Sequence, residues 1–311
     1  MAMNEQWHIF VFSYNRGIFL QNCLESLKHC ADGIDVTIID DNSDDESTKT
    51  ILASIPEKFG FELVHPQRQG GKEKRLGGLY SNMNFALKIA KNNDKSFCIF
   101  IQDDMQFVRS IQQDDLLNMQ NIFHSDEHII QIQSCFMKAE SFHAYEQGMV
   151  LHESLECYSW KGAPEGKWYF SDVGVFNIAA FEKHHNTFAI GENLNNEIAQ
   201  ANKTKLVQYR KPFMMWLPFP KSYLRKNTKW KTRIIEKIAG CGFYPIEIFD
   251  HQQEQALSNN PKSTYPIAEH FLKVKGLEKY KIWGFSAGII NWYARGGIRR
   301  LLALLIWRMS K

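Results

Sequence analysis

The chain has 311 residues, of which 44% are hydrophobic and 23% are charged, and its net charge at pH 7 is +3. This composition supports a large folded core and excludes an intrinsically disordered chain. The charge is unevenly placed: residues 1–200 hold 16 Lys and Arg against 28 Asp and Glu, whereas residues 201–311 hold 21 against 6. A basic C-terminal third predicts a polyanionic partner, either an anionic membrane or nucleic acid, with a solvated basic face as the alternative.

Six cysteines are scattered along the chain without a CxxC pair. This pattern predicts buried thiols in a reducing compartment, not a zinc site or a disulfide framework. The N-terminus shows no basic region followed by a long apolar region, so we expect no signal peptide. No uninterrupted apolar stretch approaches the roughly 20 residues of a membrane-spanning helix. We therefore expect a cytoplasmic protein, peripheral on the inner face of the cell membrane if its basic third binds lipid.

Two kinds of apolar segment alternate over the first 210 residues. Short β-branched or aromatic runs predict strands at residues 8–12, 35–39, 61–64, 97–101 and 129–134. Helical spacing of apolar residues predicts helices over 17–29 and 77–91, and an acidic capping loop predicts another from about residue 46. Strands that alternate with helices predict an α/β fold with a parallel sheet.

Polar clusters follow three of the predicted strands, at residues 13–16, 40–45 and 102–104. Because ligands of open parallel sheets bind at the carboxyl ends of the strands, we expect these clusters to meet at one edge. Carboxylates there could hold a divalent cation that offsets the charge of a nucleoside diphosphate. Asp103 and Asp104, directly after a buried strand, are suited to this role, although an adjacent Asp pair more often marks a surface turn.

The order of these segments resembles family 2 glycosyltransferases of the GT-A fold. Residues 11–16 correspond to the strand ending in YNR, residues 36–45 to VDDxSxD, residues 78–84 to the GxxxARN helix, and residues 100–104 to the DxD strand. The resemblance covers about residues 7–210 and is most specific at 36–45. It implies an α/β GT-A domain, a nucleotide-sugar donor, an Mg²⁺ or Mn²⁺ ion and inverting transfer to an acceptor hydroxyl. We place this domain at residues 1–212 and a helical, basic and aromatic extension at 213–311.

The resemblance also implies roles for single residues. Asp40 would contact the nucleobase, Asp104 would bind the metal and Asn84 would face the donor. The remaining residues of the nucleotide pocket would be Ser13, Tyr14, Asn15, Arg16, Asp41 and Asp103. The first acidic position of DxD is Gln102 here, so either Asp103 compensates in part or metal dependence is weak. His251 is a candidate second metal ligand, because a late histidine completes the metal shell in some GT-A enzymes, although a lone histidine is more often a polar loop residue.

The base of the reaction needs a carboxylate near the acceptor. In the family it lies in an ED motif that opens a helix, and the corresponding residues here are Glu192 and Asn193. Glu192 is therefore the candidate catalytic residue, with Glu197 and Asp172 as alternatives. A glutamate in the first turn that only complements the helix dipole is the structural alternative.

The predicted function is transfer of a sugar to a hydroxyl of a bacterial surface glycan or lipid-linked acceptor, as in lipopolysaccharide or capsule synthesis. The aromatic and basic residues of 213–311 fit contact with a glycolipid or an anionic membrane, or else a packed lid. Nucleic acid is not expected, since no segment matches a groove-reading motif. A nucleotidyltransferase would need a Gly-rich phosphate loop where residues 13–16 stand. A catalytically degenerate subunit that supports a partner glycosyltransferase is the second alternative.

Overall fold

The computed structural model describes residues 3–66, 78–139, 141–142, 146–161, 169–218, 242–261 and 264–275. The strands in these ranges are β1 (Trp7–Ser13), β2 (Asp35–Asp40), β3 (Glu62–Val64), β4 (Phe97–Gln102), β5 (Met105–Phe107), β6 (Ile129–Gln133), β7 (Met149–His152), β8 (Cys157–Trp160), β9 (Gly174–Asn177), β10 (Lys205–Tyr209) and β11 (Met214–Trp216). The helices are α1 (Gly17–Cys30), α2 (Glu46–Phe59), α3 (Gly78–Asn92), α4 (Gln113–Ser125), α5 (Ile178–His184), α6 (Glu192–Ala201), α7 (His251–Ser258) and α8 (Ala268–Phe271). The strands and helices predicted from the sequence are confirmed to within one or two residues.

Helix α2 shows how local sequence sets an element's ends. The side chain of Asp45 accepts a hydrogen bond from the Thr48 backbone N–H at 2.9 Å, which satisfies one of the free donors of the first turn. Gly60 ends the helix in the left-handed conformation at φ 71°, which costs glycine little. The acidic loop after β2 therefore also caps the helix, as the sequence predicts.

Nine strands form the central sheet, in the order β3-β2-β1-β4-β9-β6-β10-β8-β7. The first four are parallel to one another, and β6 is parallel to β10. Strand β9 lies antiparallel between β4 and β6, and β8 is antiparallel to both of its neighbours. Seven of these nine strands thus point the same way, which confirms the α/β class with a mostly parallel sheet. The reversed strand β9 is not predicted from the sequence.

Helices cover both faces of the sheet. All seven residues of β1 are buried, and its side chains alternate between two hydrophobic clusters. Ile9 and Val11 pack in the cluster that includes α1, α2 and α4, whereas Phe10 and Phe12 pack in the cluster that includes α3 and α5. A strand covered on both faces is continuously apolar, which explains why this segment shows no polar alternation.

The described part of the C-terminal region packs onto the sheet domain. Strand β11 pairs antiparallel with β5. Ile246, Phe249 and Leu257 share a hydrophobic cluster with Phe19 and Val108 of the sheet domain. The division at residue 212 remains a prediction. The membrane contact is predicted for residues 213–311, and within that extension residues 219–241 and 276–311 lie outside the described ranges.

Two other predictions concern thiols and membranes. Cysteines 23, 30, 98, 135 and 157 are free and buried, as predicted, and Cys241 lies outside the described residues. In the part of the chain that the structure describes, no helix combines the length and the apolar character needed to cross a bilayer.

Candidate functional site

The three polar strand ends meet at one edge of the sheet, as predicted. In the parallel register, Ser13 lies opposite Asp40, and Phe12 lies opposite Gln102. Backbone hydrogen bonds continue the pairing past the strands. The Asp41 N–H donates to the Ser13 carbonyl at 2.9 Å, and the Asp103 N–H donates to the Phe12 carbonyl at 3.1 Å.

Asp103 and Asp104 are buried, with relative exposures of 4% and 7%. The backbone N–H of Tyr14 donates to Asp103 Oδ2 at 2.9 Å. Arg16 Nη1 lies 3.4 Å from Asp103 Oδ1 and pairs with Asp104 Oδ2. Asp104 Oδ1 is buried without a hydrogen-bond partner among the described residues. An acidic surface turn would be hydrated, so that interpretation of the Asp pair is wrong.

Adjacent buried carboxylates are unfavourable unless cations or donors offset their charge. Burial raises the pKa of Asp103 to about 7, and the negative charge of Asp104 adds to the rise while Arg16 opposes it. Arg16 in turn has a raised pKa, because the two carboxylates outweigh the effect of its own burial. One guanidinium thus faces two carboxylates, and this edge of the sheet favours a further cation.

The acidic loop after β2 is held by Asn15. The Asn15 side-chain oxygen accepts hydrogen bonds from the backbone N–H groups of Asp44 and Asp45, at 2.7 and 3.2 Å, and its amide nitrogen donates to Asp44 Oδ1 at 2.6 Å. Asn15 adopts φ 52°, in the left-handed region that asparagine tolerates better than most residues. Asp40, only 1% exposed, accepts hydrogen bonds from the Ser43 N–H and hydroxyl at 2.8 and 2.6 Å. The loop is therefore rigid before any ligand binds.

Helix α3 contributes Asn82, which is not among the site residues predicted from the sequence. Asn82 is buried, and its amide lies 3.4 Å from Asp41 Oδ1. The amide of Asn84 instead donates to the Phe188 carbonyl at 2.9 Å and accepts from the Phe188 N–H at 2.8 Å. Residues two apart on a helix point to different sides, so the two asparagines cannot both face the strand ends. The donor-facing role of Asn84 stays a prediction.

Gln102 reaches a residue 70 positions away. Its amide donates to Asp172 Oδ2 at 2.9 Å. Burial, followed by the charge of Glu192, raises the pKa of Asp172 to about 6. Glu192 is the exposed first residue of α6, and the adjacent Asn193 is exposed as well. The structure thus brings two of the candidate bases, Asp172 and Glu192, within electrostatic reach of each other.

Comparison with known proteins agrees with this arrangement. Residues 8–161 match the family model described as Glycosyl transferase family 2. These residues form a family 2 glycosyltransferase domain. The GT-A class predicted from the sequence is confirmed by this match together with the observed sheet, and the domain contains both the acidic loop and the Asp103–Asp104 pair.

No curated protein matches the chain. Among solved structures, this chain is similar to S. aureus TarS, with 14% identity, a TM-score of 0.44, and coverage of 81% of this chain and 42% of that one. It is also similar to the mannosyltransferase PcManGT from Pyrobaculum calidifontis in complex with GDP-Man and Mn²⁺, with 14% identity, a TM-score of 0.46, and coverage of 97% and 78%. GalNAc-T7 with UDP, GalNAc and Mn²⁺ shows 12% identity, a TM-score of 0.45, and coverage of 68% and 43%. The chain thus spans less than half of TarS, and similarities this distant carry no functional argument.

The glycosyltransferase domain has a donor set that fits a hard divalent cation. Asp104 pairs with Arg16 through Oδ2, and Oδ1 remains for an ion. Mg²⁺ and Mn²⁺ suit such a site because they accept carboxylate oxygen together with phosphate oxygens and water. The predicted ligand His251 is the exposed first residue of α7, and the structure shows no contact between it and Asp104. Its role as a ligand stays a prediction.

A second polar cluster lies at the opposite end of the sheet. Glu127, His128 and His184 place their side-chain ligand atoms within 4.8 Å of one another, the one such group of three found in the described part of the chain. Lys183 already pairs with the exposed Glu127 at 2.5 Å. This cluster precedes β6, whereas the candidate site lies beyond the carboxyl ends of the strands. It therefore takes no part in the candidate site.

Proposed function

We propose that this protein is a metal-assisted, inverting glycosyltransferase that moves a sugar from a nucleoside-diphosphate donor to an acceptor hydroxyl. The buried Asp103–Asp104 pair beside Arg16 carries the proposal, because Asp104 Oδ1 has no hydrogen-bond partner among the described residues. A buried polar atom without a partner needs an explanation, and a role as a cation ligand is a direct one. The family 2 match supports the same activity.

The donor would bind along the carboxyl edge of the sheet. Asp40 and Asp41 would contact the base and the ribose, and Asn84 would face the donor if its amide left Phe188. The rest of the pocket would be formed by Ser13, Tyr14, Asn15, Arg16 and Asp103. The hydrogen bonds that tie these residues together preorganise the pocket, which lowers the cost of ordering it on binding.

Asp104 would hold Mg²⁺ or Mn²⁺, with His251 as a predicted second ligand. When bound, such an ion would offset the charge of the diphosphate as it leaves. Arg16 lies next to Asp104 and places a fixed positive charge at the same edge. A fixed charge at the leaving group stabilises the transition state without reorganisation.

The transfer needs a base on the acceptor side. The acceptor hydroxyl would lose its proton to a carboxylate, its oxygen would form a bond to the anomeric carbon, and the bond to the diphosphate would break with its electron pair. Glu192 is the candidate base from the sequence. It is the first residue of α6, and its charge acts on Asp172. Attack opposite the leaving group inverts the anomeric configuration.

The proposed acceptor is a bacterial surface glycan or a lipid-linked sugar. Its support is the basic and aromatic composition of residues 213–311, which suits a glycolipid or an anionic membrane surface. A catalytically degenerate subunit is the second candidate, because Gln102 and Asn193 occupy positions that are acidic in the family pattern.

Thermal unfolding with a panel of nucleoside diphosphates, with and without Mn²⁺, tests the proposal. A ligand at one hundred times its Kd stabilises the folded state by about 2.7 kcal/mol. We expect one diphosphate to raise the Tm of the wild type in the presence of Mn²⁺ and Asp104→Ala to lose that increase. Asp114→Asn, which removes an exposed carboxylate on α4, is the matched control and should respond like the wild type. If no diphosphate shifts the wild type under any metal condition, the proposal fails.

A second assay separates an enzyme from a binding subunit. The corresponding nucleotide sugar is incubated with the protein, and released nucleoside diphosphate is measured. An active glycosyltransferase should release it slowly by transfer to water. Binding without any release would favour the degenerate subunit.

A further inference from the structure

The chain departs from the family pattern at two acidic positions, and one carboxylate interacts with Gln102 at the first position and with Glu192 beside the second. Position 102 is Gln and position 193 is Asn. The Gln102 amide donates to Asp172 Oδ2 at 2.9 Å, and the charge of Glu192, the residue before Asn193, acts on Asp172. Asp172 thus lies between the end of β4 and the start of α6.

The loop that contains Asp172 is hydrogen-bonded to a side chain of strand β6. Gln131, which is fully buried, accepts a hydrogen bond from the Ser171 N–H at 3.0 Å and donates to the carbonyls of Ser171 and Val173 at 2.7 and 2.9 Å. Gly174, the first residue of β9, adopts φ 128°, and a Cβ added there would lie 2.8 Å from the Ile132 carbonyl oxygen of β6. The residues on both sides of Asp172 are therefore fixed, as expected for a group with a defined position in a reaction.

The same loop is tied to the start of helix α6. The Asn196 side-chain oxygen accepts hydrogen bonds from the Tyr169 and Phe170 N–H groups, each at 3.1 Å. Its amide donates to the carbonyls of Phe170 at 3.2 Å and Glu192 at 3.0 Å. Asn196 is buried, so a single side chain sets the position of Glu192 relative to the Asp172 loop.

The surroundings of Asp172 suit a proton acceptor at neutral pH. It is half-buried, and burial is the largest cause of its raised pKa of about 6, followed by Glu192 and, more weakly, Asp104. The hydrogen bond from Gln102 opposes the rise. The other titratable groups facing it are Tyr80 and Cys135, whose own pKa values rise through burial and the Asp172 charge. A general base is most effective when its pKa lies near the working pH.

We propose that Asp172 is the general base of the transfer, with Gln102 as the residue that positions it and Glu192 as the charge beside it. The proposal rests on the proposed glycosyltransferase function and decides which carboxylate of that site receives the proton. The acceptor O–H bond breaks and its proton moves to an Asp172 oxygen, while the acceptor oxygen bonds to the anomeric carbon. The electron pair of the breaking glycosidic bond leaves with the diphosphate.

The first test compares Asp172→Asn with Glu192→Gln. The probe is the nucleotide sugar whose diphosphate stabilises the wild type, and the readout is diphosphate released by transfer to water. We expect Asp172→Asn to lose about 10²-fold or more of the release rate, as for removal of a general base. The variant should still bind the free diphosphate in the presence of Mn²⁺. Its apparent affinity, measured from the increase in Tm, should stay within twofold of the wild-type value. Asp114→Asn again serves as the control for removing a surface charge.

The second test uses the pH profile and leaves Asp172 in place. Wild-type release should fall on the acid side with a midpoint near the Asp172 pKa of about 6. Glu192→Gln removes a charge that raises this pKa, so the midpoint should move to lower pH. Gln102→Leu removes a hydrogen bond that lowers it, so the midpoint should move to higher pH. A purely structural role for these residues would change the rate without shifting the midpoints in opposite directions.

The outcomes separate the two proposals. If the wild type binds no diphosphate and releases none, the glycosyltransferase function itself fails. If the wild type is active and Asp172→Asn keeps its rate within threefold, Asp172 is not the base. Loss of release in Glu192→Gln, with an unchanged rate in Asp172→Asn, would assign the proton to Glu192 instead. Should Asp172→Asn fold poorly, unshifted midpoints in the Glu192 and Gln102 variants would overturn the proposal by themselves.

Discussion

His8 should make the stability of the fold depend on pH in a defined window. This residue of β1 is 2% exposed, and its Nε2 lies 2.8 Å from the Thr37 hydroxyl, which donates to Glu62 Oε2 at 2.7 Å. Because the Thr37 hydrogen goes to Glu62, Nε2 must carry the imidazole hydrogen. Nδ1 is buried with no hydrogen-bond partner among the described residues. Protonation would place an N–H there without an acceptor.

Burial lowers the pKa of His8 from 6.5 to about 4, with the charges of Asp35 and Glu62 opposing the shift and that of Lys95 adding to it. Between these two values the unfolded chain binds the proton and the folded chain does not. The stability that depends on a neutral His8 is therefore fully present above pH 6.5. The free energy of unfolding decreases as the pH falls from 6.5 toward 4. One pKa unit corresponds to about 1.4 kcal/mol, so the full loss is about 3 kcal/mol.

Urea denaturation at half-unit intervals from pH 7.5 to 4 measures this loss. His8→Gln keeps a donor for Thr37 but cannot titrate. The free energy of unfolding of the wild type should therefore decrease by about 3 kcal/mol relative to that of the variant as the pH falls from 7.5 to 4. His124→Gln replaces an exposed histidine on α4 and should follow the wild type. Equal slopes for the wild type and His8→Gln would refute the assignment of a buried neutral imidazole.

Two further predictions concern parts of the fold that support the site. Arg109 forms a buried, bidentate ion pair with Asp115, at 2.7 and 2.9 Å. Arg109→Met leaves the buried Asp115 carboxylate without a counter-charge, so the free energy of unfolding measured in urea should decrease by about 3–5 kcal/mol. Lys49→Met, in an exposed pair, should leave stability unchanged, and equal effects of the two would contradict this reasoning. Gly174→Ala strains a backbone at φ 128° and places a Cβ against the Ile132 carbonyl, so it should lower the Tm and slow diphosphate release. A variant with wild-type Tm and wild-type release rate would show that the backbone conformation of Gly174 is not needed.

Much of the parallel half of the sheet could be predicted from the sequence. The strands that end at Ser13, Asp40 and Gln102 are short apolar runs, and each is followed by polar residues that a buried strand could not contain. Parallel strands bring their carboxyl ends to one edge, so the meeting of these clusters follows from the order of the elements alone. The same local reasoning predicted that the acidic loop would cap α2.

Other features of the site depend on contacts between distant residues. Whether Asn82 or Asn84 faces Asp41 depends on how α3 is rotated against the sheet, which the packing of its apolar stripe decides. The antiparallel strand β9 begins two residues after Asp172. Its position between β4 and β6 brings Asp172 to Gln102.

The sequence by itself determined the alternation of strands and helices, the polar strand ends and the acidic pair, because these arise from local pattern and spacing. Only the tertiary structure decided that the acidic pair is buried against Arg16 and that Asp172 lies with Gln102 and Glu192. Burial and proximity across 70 residues have no local sequence pattern, since they depend on how the sheet is ordered and on which side chains fill the space between its elements.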